Sequence, residues 1–194
     1  MKAYYHRRAQ EYDDWWLGRG DHAARVRPGF DQELADVVEL LRGLPPVRTL
    51  DVACGTGFLT RHLSGEVVGI DASHAMIAVA REQAPHTEFV IGDALDLPFP
   101  DGGFDRVFSS YFYCHLAEPE RLRFLAEARR VAPELIVMAS VPGEGDPHER
   151  WEERSISDGS RWLVYKRVFP PDVLAEELGG RVIHAGRWFV LVRA

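Results

Sequence analysis

A carboxylate followed by a glycine-rich turn is the part of this sequence whose residue types indicate chemistry. Asp51 lies in the apolar stretch 47–53, which leads through Gly55 and Gly57 into a predicted short helix, 58–63. Glycine tolerates positive φ and lets a ligand approach the backbone, and a helix N-terminus offers free N–H groups to an acceptor. An acid at the end of such a strand lies in the crevice where open α/β sheets bind ligands. The pattern predicts either a ligand site or a turn that serves only strand-to-helix packing.

A second carboxylate favours the ligand site. Residues 66–71 form a predicted strand that ends at Asp71, fourteen positions after Gly57. A carboxylate there accepts hydrogen bonds from two ribose hydroxyls, which also fits a dinucleotide site. A dinucleotide turn, however, carries a third glycine where this chain has Thr60, and the negative charge of Asp51 disfavours a pyrophosphate. Asp51 suits a ligand that carries an ammonium group.

With these features the sequence resembles the class I S-adenosylmethionine-dependent methyltransferases, in the small-molecule, type 11 group that includes quinone-biosynthesis enzymes. The first motif of that family alternates an acid with three glycines. Here it reads Asp51, Ala53, Gly55 and Gly57, with alanine in place of the first glycine. The resemblance covers residues 3–192. It implies that S-adenosylmethionine is the cofactor and that these four residues bind it.

Later motifs of the same resemblance imply the rest of the cofactor site. Asp71 and the following Ala72 would bind the ribose. Asp93, just past the third predicted strand, would accept a hydrogen bond from the adenine amino group, and the Ala94 N–H would meet a ring nitrogen. Ser109, in the predicted strand 104–110 that leads to the methyl-transfer site, is the last of the implied cofactor-binding residues.

The N-terminal residues 3–17 are a predicted helix that is rich in aromatic side chains. The pattern resembles the N-terminal helix of this methyltransferase group, which lies over the cofactor, and we expect Tyr12 beside the methionine end. The same aromatic residues also fit simple core packing. Arg25 and Arg27 follow in a polar loop and suit either the methionine carboxylate or the solvent. We therefore expect residues 1–27 to form a lid helix and loop.

An aromatic cluster after the fourth strand supplies the candidate catalytic residues. The cofactor brings its own activated methyl group, so the protein mainly has to position a nucleophile and, where needed, remove a proton. His115 is the first candidate base because its ordinary pKa of about 6.5 suits proton removal near neutral pH. Tyr111 and Tyr113 are second candidates. The alternatives are a histidine that braces the next helix and tyrosines that form pocket wall or core.

Three cationic residues near the C-terminal end allow two interpretations. Arg161, Lys166 and Arg167 fit an anionic substrate, but the pattern favours a solvated surface stripe. The eight histidines show no i, i+4 pair and no Cys/His cluster at zinc spacing, so we expect no metal site.

Apolar strands alternate with helices along the chain, which predicts a parallel, doubly wound α/β sheet with helices on both faces. Residues 181–184 and 188–192 surround a tight turn, which predicts an antiparallel pair. The resemblance implies a Rossmann-like, seven-stranded, mostly parallel sheet with an antiparallel last strand. We expect one domain, 1–194, in which residues 141–169 form a cover on the substrate side. Within this cover, 141–157 are a predicted loop and 161–169 a predicted strand.

Length and charge limit the function classes. The 194 residues suffice for one domain with a sizeable core, and 46% of them are hydrophobic. The net charge of −7 disfavours broad phosphate contact, so we expect no nucleic-acid partner. No apolar run approaches the roughly 20 residues that span a bilayer, and the N-terminus lacks the apolar core of a signal peptide. Cys54 and Cys114 lie in apolar sequence, which favours reduced thiols and a cytoplasmic protein.

The sequence therefore predicts an S-adenosylmethionine-dependent methyltransferase that acts on an oxygen, nitrogen or carbon atom of a small molecule. Two alternatives stay open at this point. One is a nucleotide-cofactor oxidoreductase on a related sheet, and the other is a non-catalytic protein that binds S-adenosylmethionine. The sequence leaves the acceptor and the oligomeric state open.

Overall fold

A seven-stranded sheet forms the centre of the fold. The computed structural model describes residues 2–194, apart from the side chain of Asp21; Met1 of the predicted lid lies outside this range. The strands in chain order are β1 (Thr49–Val52), β2 (Val67–Asp71), β3 (Glu88–Ile91), β4 (Arg106–Ser110), β5 (Glu134–Ser140), β6 (Glu149–Ser155), β7 (Arg161–Arg167), β8 (Arg181–Ala185) and β9 (Phe189–Arg193). The large sheet has the order β3-β2-β1-β4-β5-β9-β8.

The pairing of the strands confirms the predicted sheet. The five strands β1 to β5 run parallel to one another. The last strand, β9, lies antiparallel between β5 and β8. Because β1, β2, β3 and β4 are parallel, their carboxyl ends meet along one edge of the sheet, where the predicted acids lie.

Helices cover both faces of the sheet. They are α1 (Lys2–Arg8), α2 (Asp14–Leu17), α3 (Phe30–Arg42), α4 (His74–Gln83), α5 (Glu118–Val131) and α6 (Pro171–Leu178). Ser73 caps α4 by accepting a hydrogen bond from the Met76 N–H at 3.2 Å. No described helix has the length and apolar character needed to cross a membrane.

The structure corrects two predicted helices. The segment 3–17 is broken into α1, a 3₁₀ turn at Ala9–Glu11, and α2. The break lets the Asp13 carboxylate accept hydrogen bonds from Thr56 and Gln83. The predicted helix 58–63 is only a 3₁₀ turn, Thr60–His62.

The predicted loop 141–157 is also wrong in part, because β6 lies within it and pairs with β7 in an antiparallel hairpin. Charged residues occupy both faces of β6, so no alternation of apolar and polar positions marks it as a strand. The hairpin is held by the N-terminal helix: buried Tyr4 of α1 packs against Ile156 and Val164. The two predicted covers, 1–27 and 141–169, thus contact each other.

Candidate cofactor and acceptor site

The glycine-rich turn after β1 has left-handed backbone at three positions. Ala53, Gly55 and Gly57 have φ values of 58°, 57° and 75°. A side chain at position 57 would also lie 3.4 Å from the Cβ of Ala80, so this glycine permits close packing of the turn on α4. Alanine at position 53 adopts a conformation that disfavours any residue except glycine.

Asp51 is buried beneath this turn. Its Oδ2 accepts a hydrogen bond from the Thr60 hydroxyl at 2.5 Å, whereas the buried Oδ1 has no hydrogen-bond partner among the described residues. Burial raises the pKa of Asp51 to about 7. A buried acceptor without a donor costs free energy, and the ammonium group of a ligand would supply the missing donor and charge.

Asp71 is held rigidly at the end of β2. Its two carboxylate oxygens accept hydrogen bonds from the backbone N–H groups of Gly55, at 3.0 Å, and Ser73, at 2.8 Å. Burial raises the pKa of Asp71, and these two hydrogen bonds oppose that rise. Each oxygen keeps acceptor capacity for a ligand hydroxyl.

A cavity of about 130 Å³, which we call the inner cavity, opens beside this carboxylate. The predicted cofactor-binding residues that line it are Tyr12, Ala53, Gly55, Asp71, Ala72, Asp93 and Ala94.

Three predicted cofactor residues do not line the inner cavity. Asp51 and Gly57 are buried and line neither this cavity nor the larger one that adjoins it. Ser109 is buried in the sheet, where its hydroxyl donates to the Val52 carbonyl at 2.9 Å. Its neighbour Ser110 lines the cavity instead. Successive residues of a strand face opposite sides, so two adjacent serines had to separate in this way.

A larger cavity of about 1170 Å³, the outer cavity, adjoins the inner one. Tyr5, Tyr12, Tyr111 and His115 line both cavities, so they form the wall between the two. Tyr111 has a φ of 55°, and such strained backbone occurs most often at ligand sites. Sequence reasoning did not assign Tyr5 to the site, although it lies seven residues before Tyr12 and therefore on the same face of a regular helix.

His115 is buried in this wall. Its Nδ1 lies 2.7 Å from the Tyr165 carbonyl oxygen, so Nδ1 carries the proton and donates it to that oxygen. Burial lowers the pKa of His115 to about 3, and the positive charge of Arg154 lowers it further. The ring is therefore neutral, and Nε2 keeps its lone pair as a proton acceptor.

The structure separates Tyr113 from the other candidate bases. It is fully buried outside both cavities, and its hydroxyl donates to Glu177 at 2.6 Å. Tyr113 and His115 lie two residues apart in a 3₁₀ turn of three residues per turn, so their side chains point in different directions. Tyr113 therefore serves the core, as the alternative interpretation held.

The two arginines of the predicted N-terminal loop, Arg25 and Arg27, have different surroundings. Arg27 lies over the ring of Phe30, 3.9 Å from its centroid, and donates to the Trp15 carbonyl oxygen. Arg25 is exposed and lines the outer cavity. In residues 2–194, no cluster of three His, Cys, Asp or Glu side chains is arranged to hold a metal ion.

Comparisons with known proteins agree with this geometry. A family model described as "Methyltransferase domain" matches residues 49–134. The chain is 34% identical to a demethylmenaquinone methyltransferase of Thermotoga maritima over 114 residues, which is 55% of the chain and 49% of that relative. It is 31% identical over 191 residues to the O-methyltransferase cnsE of Penicillium expansum, covering 88% of the chain and 66% of that relative.

A solved structure covers nearly the whole chain. It is described as a DhpI–SAM–HEP complex, and it superimposes with a TM-score of 0.79 at 27% identity over 98% of this chain and 94% of that one. The chain belongs to the class I S-adenosylmethionine-dependent methyltransferases. It spans about half the length of the first curated relatives that it matches. The comparisons give no support to a nucleotide-cofactor oxidoreductase.

Proposed function

We propose that this chain transfers the methyl group of S-adenosylmethionine to a small-molecule acceptor. The observation that carries the proposal is the shared wall. Seven of the ten predicted cofactor-binding residues line the inner cavity, and the outer cavity meets it at Tyr5, Tyr12, Tyr111 and His115. Two ligands bound side by side would therefore face each other across these four side chains.

The residues of the inner cavity fit the cofactor. The rigid carboxylate of Asp71 suits the ribose hydroxyls. Asp51 is buried next to the glycine-rich turn and does not line the cavity, and its unpartnered Oδ1 suits the ammonium of the methionine part. Asp93 lies farther along the same edge, where its Oδ1 accepts from the Leu95 N–H at 2.9 Å, and its second oxygen suits the adenine amino group. When bound, S-adenosylmethionine supplies a methyl group already activated on a sulfonium.

The residues of the shared wall position the acceptor and accept its proton. The aromatic rings of Tyr5, Tyr12 and Tyr111 exclude water and hold the acceptor against the inner cavity, and positioning of this kind contributes up to about 7–11 kcal/mol. Aromatic faces also attract a sulfonium, by roughly 0.5–2 kcal/mol. His115 Nε2 accepts the proton that an oxygen or nitrogen nucleophile loses.

Turnover tests the proposal directly. Purified protein is incubated with S-adenosylmethionine and a panel of hydroxyl, amine and carbon acceptors, and S-adenosylhomocysteine is quantified. Acceptor-dependent product is expected. Tight binding of S-adenosylhomocysteine without turnover on any acceptor would favour the non-catalytic alternative.

Calorimetry tests the cofactor site separately. Asp71→Ala removes charge-assisted hydrogen bonds worth about 1.5–3 kcal/mol, so S-adenosylhomocysteine should bind roughly 10- to 150-fold more weakly. Asp105→Ala is a control, since Asp105 accepts from the Arg48 N–H on the opposite edge of the sheet. Unchanged affinity in Asp71→Ala would contradict the ribose assignment.

A further inference from the structure

One face of the β6–β7 hairpin looks into the outer cavity and carries an excess of positive charge. Arg150, Glu152 and Arg154 alternate along β6 as partly buried residues that line this cavity, and Lys166 of β7 lines it too. The single carboxylate, Glu152, is shared between Arg150 at 2.8 Å and Arg154 at 2.7 Å. Asp146 reaches Arg150 only at 4.0 Å.

Lys166 has no carboxylate of its own. Among the described residues its ammonium makes no hydrogen bond and no ion pair, and its nitrogen lies over the ring of Tyr111, 5.8 Å from the ring centroid. Burial lowers the pKa of Lys166, and the positive charges of Arg154 and Arg150 lower it further. Cys114 and Glu152 act in the opposite direction and raise this pKa. The surface-stripe interpretation is therefore wrong for Lys166, although Arg161 is exposed and Arg167 pairs with Glu149.

The register of the hairpin makes this arrangement costly. Lys166 lies directly opposite Arg150 in the antiparallel pair. Like charges directly opposite each other destabilise a sheet, and a half-buried cation without a partner adds a desolvation cost. Neither feature helps the hairpin to fold, so the arrangement suits a ligand that brings negative charge.

The position of the cluster links it to the transfer site. The Nδ1–H of His115 donates a hydrogen bond to the carbonyl oxygen of Tyr165, the residue before Lys166. Tyr111 contacts Lys166 and also lines both cavities. An anion bound by the hairpin would therefore lie beside the wall where the methyl group is delivered.

We propose that Lys166, together with Arg150 and Arg154, binds an oxyanion of the acceptor, a carboxylate or a phosphate-type group, so that the substrate is an anionic small molecule. This inference rests on the proposed function. The bound anion also acts on the base: the charges that face His115 are Arg154, Lys166 and Glu152, and the two cations depress its pKa. Negative charge at Lys166 and Arg154 offsets them, so the pKa of His115 rises and the base strengthens when the anionic acceptor is present.

Lysine NMR tests the anion site without any turnover. Lys2 and Lys166 are the only lysines of the sequence, so protein labelled with ¹³C at lysine Cε gives two signals, which Lys166→Arg assigns. Inorganic phosphate and, separately, acetate are titrated into protein saturated with S-adenosylhomocysteine, at ionic strength held constant with chloride. The Lys166 signal should shift saturably with at least one of the two anions, and the pKa of Lys166 should rise. The more effective anion identifies the group. No shift, or an unsaturable shift equal to that of chloride, would overturn the proposal.

Paired acceptors give the second test. Hydroxy or amino carboxylic acids, and phosphate-bearing acceptors, are compared with their amides or neutral analogues in the turnover assay. Lys166→Met should lower kcat/KM for the anionic member at least tenfold relative to the neutral member, whereas the exposed Arg161→Met should leave this ratio unchanged. Equal turnover of charged and neutral acceptors would overturn the anion site but keep the methyltransferase. Absence of all turnover would count against the proposed function, and the NMR titration would still decide the anion site.

Discussion

The carboxylate of Asp13 accepts a hydrogen bond from the Thr56 hydroxyl at 2.6 Å, which ties the N-terminal segment to the glycine-rich turn. The second oxygen of Asp13 accepts from the side-chain amide of Gln83, at the end of α4, at 2.5 Å. One side chain in the break between α1 and α2 therefore fixes the segment over the inner cavity. Helices this short are unstable alone, so their order depends on such contacts.

Replacing Asp13 should release the N-terminal segment. Loss of two charge-assisted hydrogen bonds, each worth about 1.5–3 kcal/mol, should speed amide exchange in residues 3–17 by tenfold or more while β1 to β5 keep their protection. Hydrogen exchange with mass spectrometry measures this in Asp13→Ala. Asp14→Ala is the matched control, because among the described residues the Asp14 carboxylate pairs with the exposed Arg19 alone. Equal exchange in both variants would show that aromatic packing alone holds the segment.

Ligand should have the opposite effect on the same amides. The inner cavity, at about 130 Å³, is smaller than the roughly 300 Å³ of ordinary ligand pockets, so the segment has to move for a nucleoside ligand to enter. Added S-adenosylhomocysteine should then protect residues 5–16 as the lid closes. Equal protection with and without ligand would make the segment a fixed part of the core.

Cofactor binding should release a proton from Asp51. With a pKa of about 7, this buried carboxyl is mostly protonated at pH 6.5, and an ammonium beside it favours the ionised form. S-adenosylhomocysteine should therefore release roughly three quarters of a proton at pH 6.5 and almost none at pH 8.5. Calorimetry in two buffers of different ionisation enthalpy measures the release, and Asp51→Asn should abolish it. Identical enthalpies in both buffers would contradict the pairing.

Glycine at position 53 should stabilise the fold. A left-handed conformation destabilises the folded state by about 1–2 kcal/mol for a residue with a Cβ, and glycine removes this strain. Glycine also gives the unfolded chain more conformational freedom, which offsets about 0.4–1 kcal/mol of the gain. Ala53→Gly should raise the free energy of unfolding by up to about 1 kcal/mol, which is a Tm gain of about 2–4 °C. Ala53→Val, β-branched at the same φ, should lower the Tm. A lower Tm for Ala53→Gly would show that Cβ packing outweighs the strain.

Much of the sheet was predictable because the apolar strands alternate with residues that start or end helices and turns. Ser73 begins α4, Gly179 ends α6 in a left-handed conformation, and the tight turn near Gly186 requires an antiparallel pair. The carboxylates near the strand ends were predictable for the same reason, since each follows apolar residues of β1 or β2.

The acceptor side could not be predicted in the same way. Strand β6 has no apolar alternation, so its charged residues resembled a loop, and the cation cluster depends on pairing with β7, which no local pattern specifies. The directions of Ser109 and Tyr113 likewise depend on the strand face and on the 3₁₀ turn, which were not assigned from the sequence.

The two ring nitrogens of His115 have different roles, because Nδ1 braces the ring and Nε2 is the candidate base. Asparagine can keep the donor to the Tyr165 carbonyl oxygen but removes the Nε2 lone pair. His115→Asn should therefore lower turnover by about 10²–10⁴ while S-adenosylhomocysteine affinity stays within twofold. His115→Gln, whose amide reaches the Nε2 position instead, should lose the brace as well and unfold at a lower temperature.

The pH dependence of stability shows whether the buried ring is neutral. The pKa of His115 is about 3 in the fold and about 6.5 in the unfolded chain, so between pH 6.5 and 3 the unfolded chain binds a proton that the folded chain does not. Stability therefore falls as the pH falls, by about 2 kcal/mol from this residue at pH 5. His62, whose pKa burial lowers to about 4, adds to the loss in wild type and in His115→Asn alike. The difference between their denaturation curves at pH 7 and pH 5 isolates His115. Parallel losses in the two proteins would mean that His115 takes up a proton in the fold, which burial and the charge of Arg154 oppose.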